Sequence, residues 1–418
     1  MMLRFLVVLL CAGLLLAQRG PATQGSSQTH SSQTPGSPLD RAWSLVAKGQ
    51  RDQAIRLLRE VIKNSPRDAD ARLLLGSILQ EKGDGSESIA QLTEAVRLRP
   101  KSAEAQDALG EAYNTFGDTK AARGAFEKAV ALNPGFPQAQ TDLGLTLVEA
   151  GEYSAATDHL NQAIRTMGRT ADAAYPRYLL AKAYTAQNET KKAAAQLEQA
   201  VALRADFPEA WSDLGLARKA LLDDAGALAA MKRAVDLKPA DAVAQYRLGT
   251  EYLHQHQPHL AATHLQEARR LNPEDQSTLN SLQFALRQDG KPEEAGKVKQ
   301  ALSELLRRRD QTRQNALAAV RVNNEGASLE KAGNLRAALE KYREALTLSP
   351  EHVGIRVNYA VALLRLGQWT QGLTELHEAL RRDPQNAKIK AALNDAMAQA
   401  PPGTVPDWTG APSESPRQ

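Results

Sequence analysis

The spacing of small, large and helix-stopping residues repeats along most of the chain. Gly76, Gly110 and Gly144 stand 34 residues apart, as do Pro66, Pro100 and Pro134. After a three-residue insertion, Ala181, Gly215 and Gly249 resume the spacing, with Pro239 and Pro273. Gly333 and Gly367, Ala345 and Ala379, and Pro350 and Pro384 repeat it again. Leu and Ala dominate the apolar positions, alongside Glu, Arg and Gln, a mixture of high helix propensity. β-Branched and aromatic residues are too sparse for a sandwich or barrel. The prolines mark boundaries: in Asn133-Pro134-Gly135-Phe136-Pro137 one helix stops and the next starts, because Pro137 suits a first turn, where its missing N–H is no loss. Asp206-Phe207-Pro208 repeats the device. The pattern predicts close-packed helices in repeating units.

The best-formed unit runs from Ala103 to Pro134. Its Leu109-Gly110, Tyr113, Gly117, Ala122, Phe126, Ala129 and Pro134 make it resemble the tetratricopeptide repeat, and Trp211 with Leu214-Gly215 supplies that family's tryptophan in another copy. Ten copies are expected, with first helices starting near 39, 69, 103, 137, 174, 208, 242, 276, 319 and 353. The resemblance implies an all-α fold, an α-solenoid built as a right-handed superhelix of antiparallel helix pairs. Such helices approach closely only where side chains are small, hence Gly or Ala at the eighth position and Ala122, Ala156, Ala193, Ala227, Ala261 and Ala338 at the twentieth. Phe126, Leu160, Leu197, Met231, Leu265 and Tyr342 are expected to fill the space between repeats.

Departures from the period set the expected organisation. The eighth copy is degenerate, with Gln283 for the small residue and Lys299 for the large one. No Gly or Pro lies between Gly296 and Gly326, so a long helix is expected there, with its polar stretch Arg307–Asn315 as a bend. This reads as an N-terminal array over 39–292, a connecting helix over 293–318, and a C-terminal pair with a capping helix over 319–399. Residues 18–38 and 400–418, rich in Gln, Ser, Gly and Pro, are expected to be a disordered linker and tail.

Met1–Ala17 reads as a secretory signal: Arg4 precedes an apolar run, Phe5–Ala17, that is too short to span a bilayer, with cleavage expected near Ala17 or Ala22. The single cysteine, Cys11, lies inside that run, so the mature chain would have no thiol chemistry. Lys and Arg total 52 against 48 Asp and Glu, and seven of those bases fall within 296–321. The rest of the chain is near neutral, which excludes a nucleic-acid footprint along the whole surface. Arg307-Arg308-Arg309 has no interleaved aromatic residue and reads as a solvated face.

No phosphate-cradling loop, nucleophile elbow or H-E-x-x-H stands in the chain, so no enzyme activity, cofactor or metal is expected. His254, His256, His259 and His264 cluster, but His259 and His264 are five apart and do not share a helix face. Function therefore falls to the concave groove that the resemblance implies, lined by first-helix positions two, five, six, nine, twelve and thirteen. Its N-terminal part is acidic, with Asp70, Glu104, Asp107, Glu111, Asp142 and Glu149. The middle holds Tyr175, Tyr178, Lys182, Lys219, Tyr246 and Arg247, and the late part Asn323, Asn324, Lys331, Asn358 and Arg365. Tyr and Arg are enriched at binding hot spots. Asn324 and Asn358 share the sixth position, where relatives holding extended peptides bond the ligand backbone through the amide. The expected function is a non-catalytic scaffold exported to the cell envelope, binding a protein or extended peptide for assembly, secretion or polymer export. The alternative is a glycan-binding or polysaccharide-synthesis accessory using Tyr175, Tyr178 and Tyr246.

Overall fold

Each repeat carries its own start and stop signals, and the computed structural model, which describes residues 36–384 and 386–406, shows helices obeying them. Among the described residues there are twenty α-helices and no strand. The chain divides into two compact units, one ending at Pro273 and the other beginning at Glu274. The first unit consists of seven helix pairs: α1 Pro38–Ala47 with α2 Arg51–Asn64, α3 Ala69–Lys82 with α4 Gly85–Leu98, α5 Ala103–Thr115 with α6 Thr119–Leu132, α7 Pro137–Glu149 with α8 Tyr153–Met167, α9 Ala174–Ala186 with α10 Thr190–Leu203, α11 Pro208–Ala220 with α12 Asp224–Leu237, and α13 Ala242–His254 with α14 Pro258–Leu271. The three-residue insertion is taken up before α9 by a 3₁₀ turn, Ala171–Ala173.

The second unit holds α15 Gln276–Gln288, α16 Pro292–Lys331, α17 Leu335–Leu348, α18 Val353–Arg365, α19 Trp369–Arg382 and α20 Ala387–Gln399. The 40 residues of α16 merge the second helix of the degenerate copy, the connecting segment and the first helix of the next copy. No helix starts at 319. The helix runs unbroken through Arg307–Asn315, where a bend was expected, because polarity alone does not interrupt a stretch that has no Gly or Pro and whose side chains reach water. The signal segment and all but the end of the N-terminal linker, like the last residues of the tail, lie outside the described residues.

Starts are set by capping. Asp68, Ser102, Asp118 and Asp241 each accept a bond from a backbone N–H in the first turn of the helix that follows, at 2.9–3.1 Å. Turns within pairs place one residue in the left-handed conformation, met by glycine at Gly117 (φ 88°) but by Leu222 (φ 63°) between α11 and α12. Pairs close on the small positions: a Cβ built on Gly110 would lie 2.6 Å from the Phe126 ring, itself 2% exposed. The large residue thus fills its own repeat's helix crossing and also packs towards the next copy, through Leu143 and Leu147.

A polar clip at the fourth position of the first helix joins consecutive copies. Arg72, Gln140, Trp211, Gln245 and Arg356 each donate to the carbonyl six residues earlier, in the turn where the preceding repeat ends. The family tryptophan, Trp211, does so through Nε1 to the Ala205 carbonyl at 2.9 Å. Gln140 and Gln245 also face an imidazole: with their amide nitrogens on Pro134 and Pro239, their Oε1 atoms accept from Nδ1 of His159 (2.7 Å) and His264 (2.8 Å).

Candidate functional site

First helices of neighbouring copies meet side by side, and a fifth-position residue on one reaches the sixth position of the next, 35 residues on. In the middle of the first unit this contact builds a network. Arg247 Nη1 on α13 donates to Ser212 Oγ at 2.7 Å and Asp213 Oδ1 at 2.8 Å on α11. Tyr178 on α9 faces the same Asp213. Burial, then the Asp213 carboxylate, pushes its phenol well above the ordinary tyrosine range, so it stays neutral. Its ring packs 5.0 Å from Phe207 and 6.4 Å from Tyr175, with the Lys182 ammonium 5.8 Å from its centroid. Of the predicted residues here, Tyr175, Tyr178 and Arg247 are brought together, while Tyr246 stands half-buried beside Arg247. Two residues passed over in the sequence are central: Asp213, and Glu251, which is 1% exposed and bonds Lys219 at 2.7 Å. Asp213 occupies the sixth position, as Asn324 and Asn358 do, and that register was the signal for it.

In the second unit the same contact joins Asn358 Nδ2 to Asn323 Oδ1 at 2.9 Å, between α18 and α16. Asn324 stands apart from this pair. It is exposed in a shallow concavity lined by Leu317, Val320, Arg321 and, from α17, Lys341. Two turns along, Arg365 pairs with Glu330, which also accepts from the Tyr342 hydroxyl at 2.7 Å.

The acidic stretch separates likewise. Asp70 is bound by Arg99, Glu104 accepts from Ser102 Oγ at 2.9 Å, and Glu149 is exposed. Asp107 and Glu111 on α5 and Asp142 on α7 converge, each bringing a carboxylate oxygen within 4.8 Å of the others'. Burial above all, then the Asp142, Glu111 and Glu104 charges, pushes the Asp107 carboxyl well up.

Profiles described as Tetratricopeptide repeat match residues 39–103 and 78–137, and 115–175 and 329–396, and one described as TPR repeat matches 181–221. Together they take in more than half of the chain. The chain belongs to the tetratricopeptide repeat family. Among curated proteins, FlbA of Caulobacter vibrioides is 30% identical over 190 residues, which are 45% of this chain and 30% of FlbA. Sperm-associated antigen 1 of Mus musculus is 33% identical over 78 residues, 19% of this chain and 8% of that protein. The chain thus matches under a third of either relative's length. Of solved structures, YrrB, described as a TPR protein with an unusual peptide-binding site, is 21% identical with a TM-score of 0.39, covering 46% of this chain and 96% of its own. Pseudomonas aeruginosa pilF is 19% identical with a TM-score of 0.48, covering 52% and 98%.

Tetratricopeptide repeat proteins are generally non-catalytic scaffolds, and the fold points to protein binding. The four clustered histidines do not converge. His254, His256 and His259 are exposed, whereas His264 stacks on Tyr252 with centroids 5.5 Å apart and bonds Gln245. Arg308 and Arg309 reach Glu274, through its carboxylate at 3.1 Å and its carbonyl at 2.9 Å.

Proposed function

We propose that this tetratricopeptide chain is a non-catalytic scaffold that holds a protein or extended peptide along the face of its first helices, after export to the cell envelope. The observation that carries the binding reading is the polar ladder between neighbouring first helices. Ser212 and Asp213 with Arg247, and Asn323 with Asn358, hold hydrogen-bonding groups at fixed rotamers on that face. Preorganised donors and acceptors lower the ordering cost of gripping an extended backbone, whose N–H and C=O groups need partners. The export part rests on the residue pattern of Met1–Ala17. The glycan alternative asks for open aromatic faces, and Tyr178 already packs on Phe207 and Tyr175.

The test is capture of the partner by crosslinking from envelope extracts, followed by affinity measurement on variants. Asn323→Ala with Asn358→Ala, and separately Asn324→Ala, are compared with Tyr178→Ala and Tyr246→Ala. Removing a partner from a desolvated contact costs about 1–3 kcal/mol, or roughly 5- to 150-fold in affinity. A loss of that size in the asparagine variants, with melting unchanged, supports the peptide reading. Loss confined to the tyrosine variants moves the site to the middle copies and favours a sugar or aromatic-anchored ligand. N-terminal sequencing of native protein should find a start near Gln18 or Thr23; an intact Met1 in a soluble cytoplasmic fraction refutes export.

A further inference from the structure

We propose that Asp107, Glu111 and Asp142 form a binding site for a hard divalent cation of the calcium–magnesium class, held between two adjacent first helices. Asp107 and Asp142 occupy the fifth and sixth positions of neighbouring copies, 35 residues apart. Where that register contact recurs it is complementary, hydroxyl with guanidinium at Ser212 and Arg247, amide with amide at Asn323 and Asn358. Here it sets carboxylate against carboxylate, with Glu111, one helical turn from Asp107, as a third.

The buried member is incomplete without a further partner. Asp107 is 5% exposed and its Oδ1, shut off from solvent, meets no hydrogen-bond donor. A buried polar atom left so is costly, and a carboxylate the more so beside two others. Asp142 Oδ2 accepts a bond from Gln138 Nε2 at 2.7 Å.

Geometry and donor type select the ligand. Three oxygens within 4.8 Å of one another lie no farther than about 2.8 Å from a common centre, so a small inward shift brings all three to the 2.3–2.6 Å of Ca²⁺–oxygen bonds. An all-carboxylate set without nitrogen or sulfur suits a hard ion and disfavours zinc or copper. Three carboxylates leave positions for water, as both ions accept, and at that ligand count an affinity of about 10⁻⁴–10⁻³ M is expected, the range of extracellular calcium modules. The site does not depend on the peptide reading of the other copies.

The full chain is stripped with chelator and titrated with CaCl₂ and, separately, MgCl₂, by calorimetry and by thermal melting, with KCl at matched ionic strength as control. Saturable binding of one ion with a rise in melting temperature is expected. Asp107→Asn and Asp142→Asn should weaken it at least tenfold, and Glu149→Gln on the exposed end of α7 should not. Asp107→Asn keeps the side chain's size and removes a carboxyl whose ionised form burial and its acidic neighbours disfavour, so it should fold and melt no lower than the stripped parent, which keeps the loss of binding interpretable. No saturable binding overturns the proposal. So does an equal shift from KCl, or binding undiminished in both Asp variants. A site that ignores both ions yet takes a lysine- or arginine-bearing peptide, with Asp107→Asn abolishing that, also overturns it, and makes the cluster a receptor for a partner's cation.

Discussion

Gly110→Ala tests the claim that the eighth position is a contact limit and not a preference for flexibility. The added Cβ would sit 2.6 Å from both Cδ1 and Cε1 of Phe126 and 3.0 Å from Cζ. That ring is 2% exposed and packed among Ala122, Leu143 and Leu147, so it cannot swing out of the way. Overpacking of this kind costs about 1–3 kcal/mol, while replacing a mid-helix glycine by alanine returns about 0.8–1 kcal/mol. The net expectation is a loss of about 1 kcal/mol. The copy beginning at α9 shows the compensating pair, Ala181 with Leu197, both fully buried. Phe126→Leu alone leaves a void and should cost about 1 kcal/mol or more. In the Gly110→Ala background it should cost much less, a coupling of about 1 kcal/mol in a double-mutant cycle. Urea unfolding of the full chain, followed by far-ultraviolet circular dichroism, reads all four corners. Gly110→Ala at or above parental stability, or a cycle that is additive within about 0.3 kcal/mol, refutes the reasoning.

Two further outcomes follow from the turns and the half-buried imidazoles. Leu222→Gly should stabilise the chain by about 0.5–1 kcal/mol in the same assay. Leu222 holds φ 63° while 88% exposed, so glycine relieves about 1–2 kcal/mol of strain and forfeits little burial, against the extra freedom it gives the unfolded chain; a loss of stability contradicts this. Burial holds His159 and His264 below the ordinary imidazole range, so on acidification the unfolded chain takes up protons first. Their contribution is present above about pH 6.5 and is lost as the pH falls towards the folded values, so His159→Gln with His264→Gln should flatten the stability–pH slope below that point. A slope the double variant leaves unchanged refutes that assignment.

The helices, their boundaries and the close crossings were legible in the sequence because each repeat encodes them within itself. Asp118 caps α6, Pro137 opens α7 and Gly110 admits Phe126 with no help from distant parts of the chain. The family likewise followed from the spacing of small residues, which any packing of two helices must respect. Where local signals fall silent, as between Gly296 and Gly326, the sequence alone did not distinguish a bend from the unbroken helix α16.

What only the tertiary structure decided is lateral: which side chain of one copy meets which side chain of the next. Asn358 bonds Asn323 and not Asn324, its match at the sixth position, because neighbouring first helices are offset by one residue in register. The same offset sends Arg247 onto Ser212 and Asp213 and sets Asp107 against Asp142. Period fixes the distance along the chain between equivalent positions. The angle and shift at which two copies pack arise from the summed fit of their side chains, and a displacement of one residue on a helix turns a side chain through about 100°. That is enough to exchange a hydrogen bond for a buried repulsion.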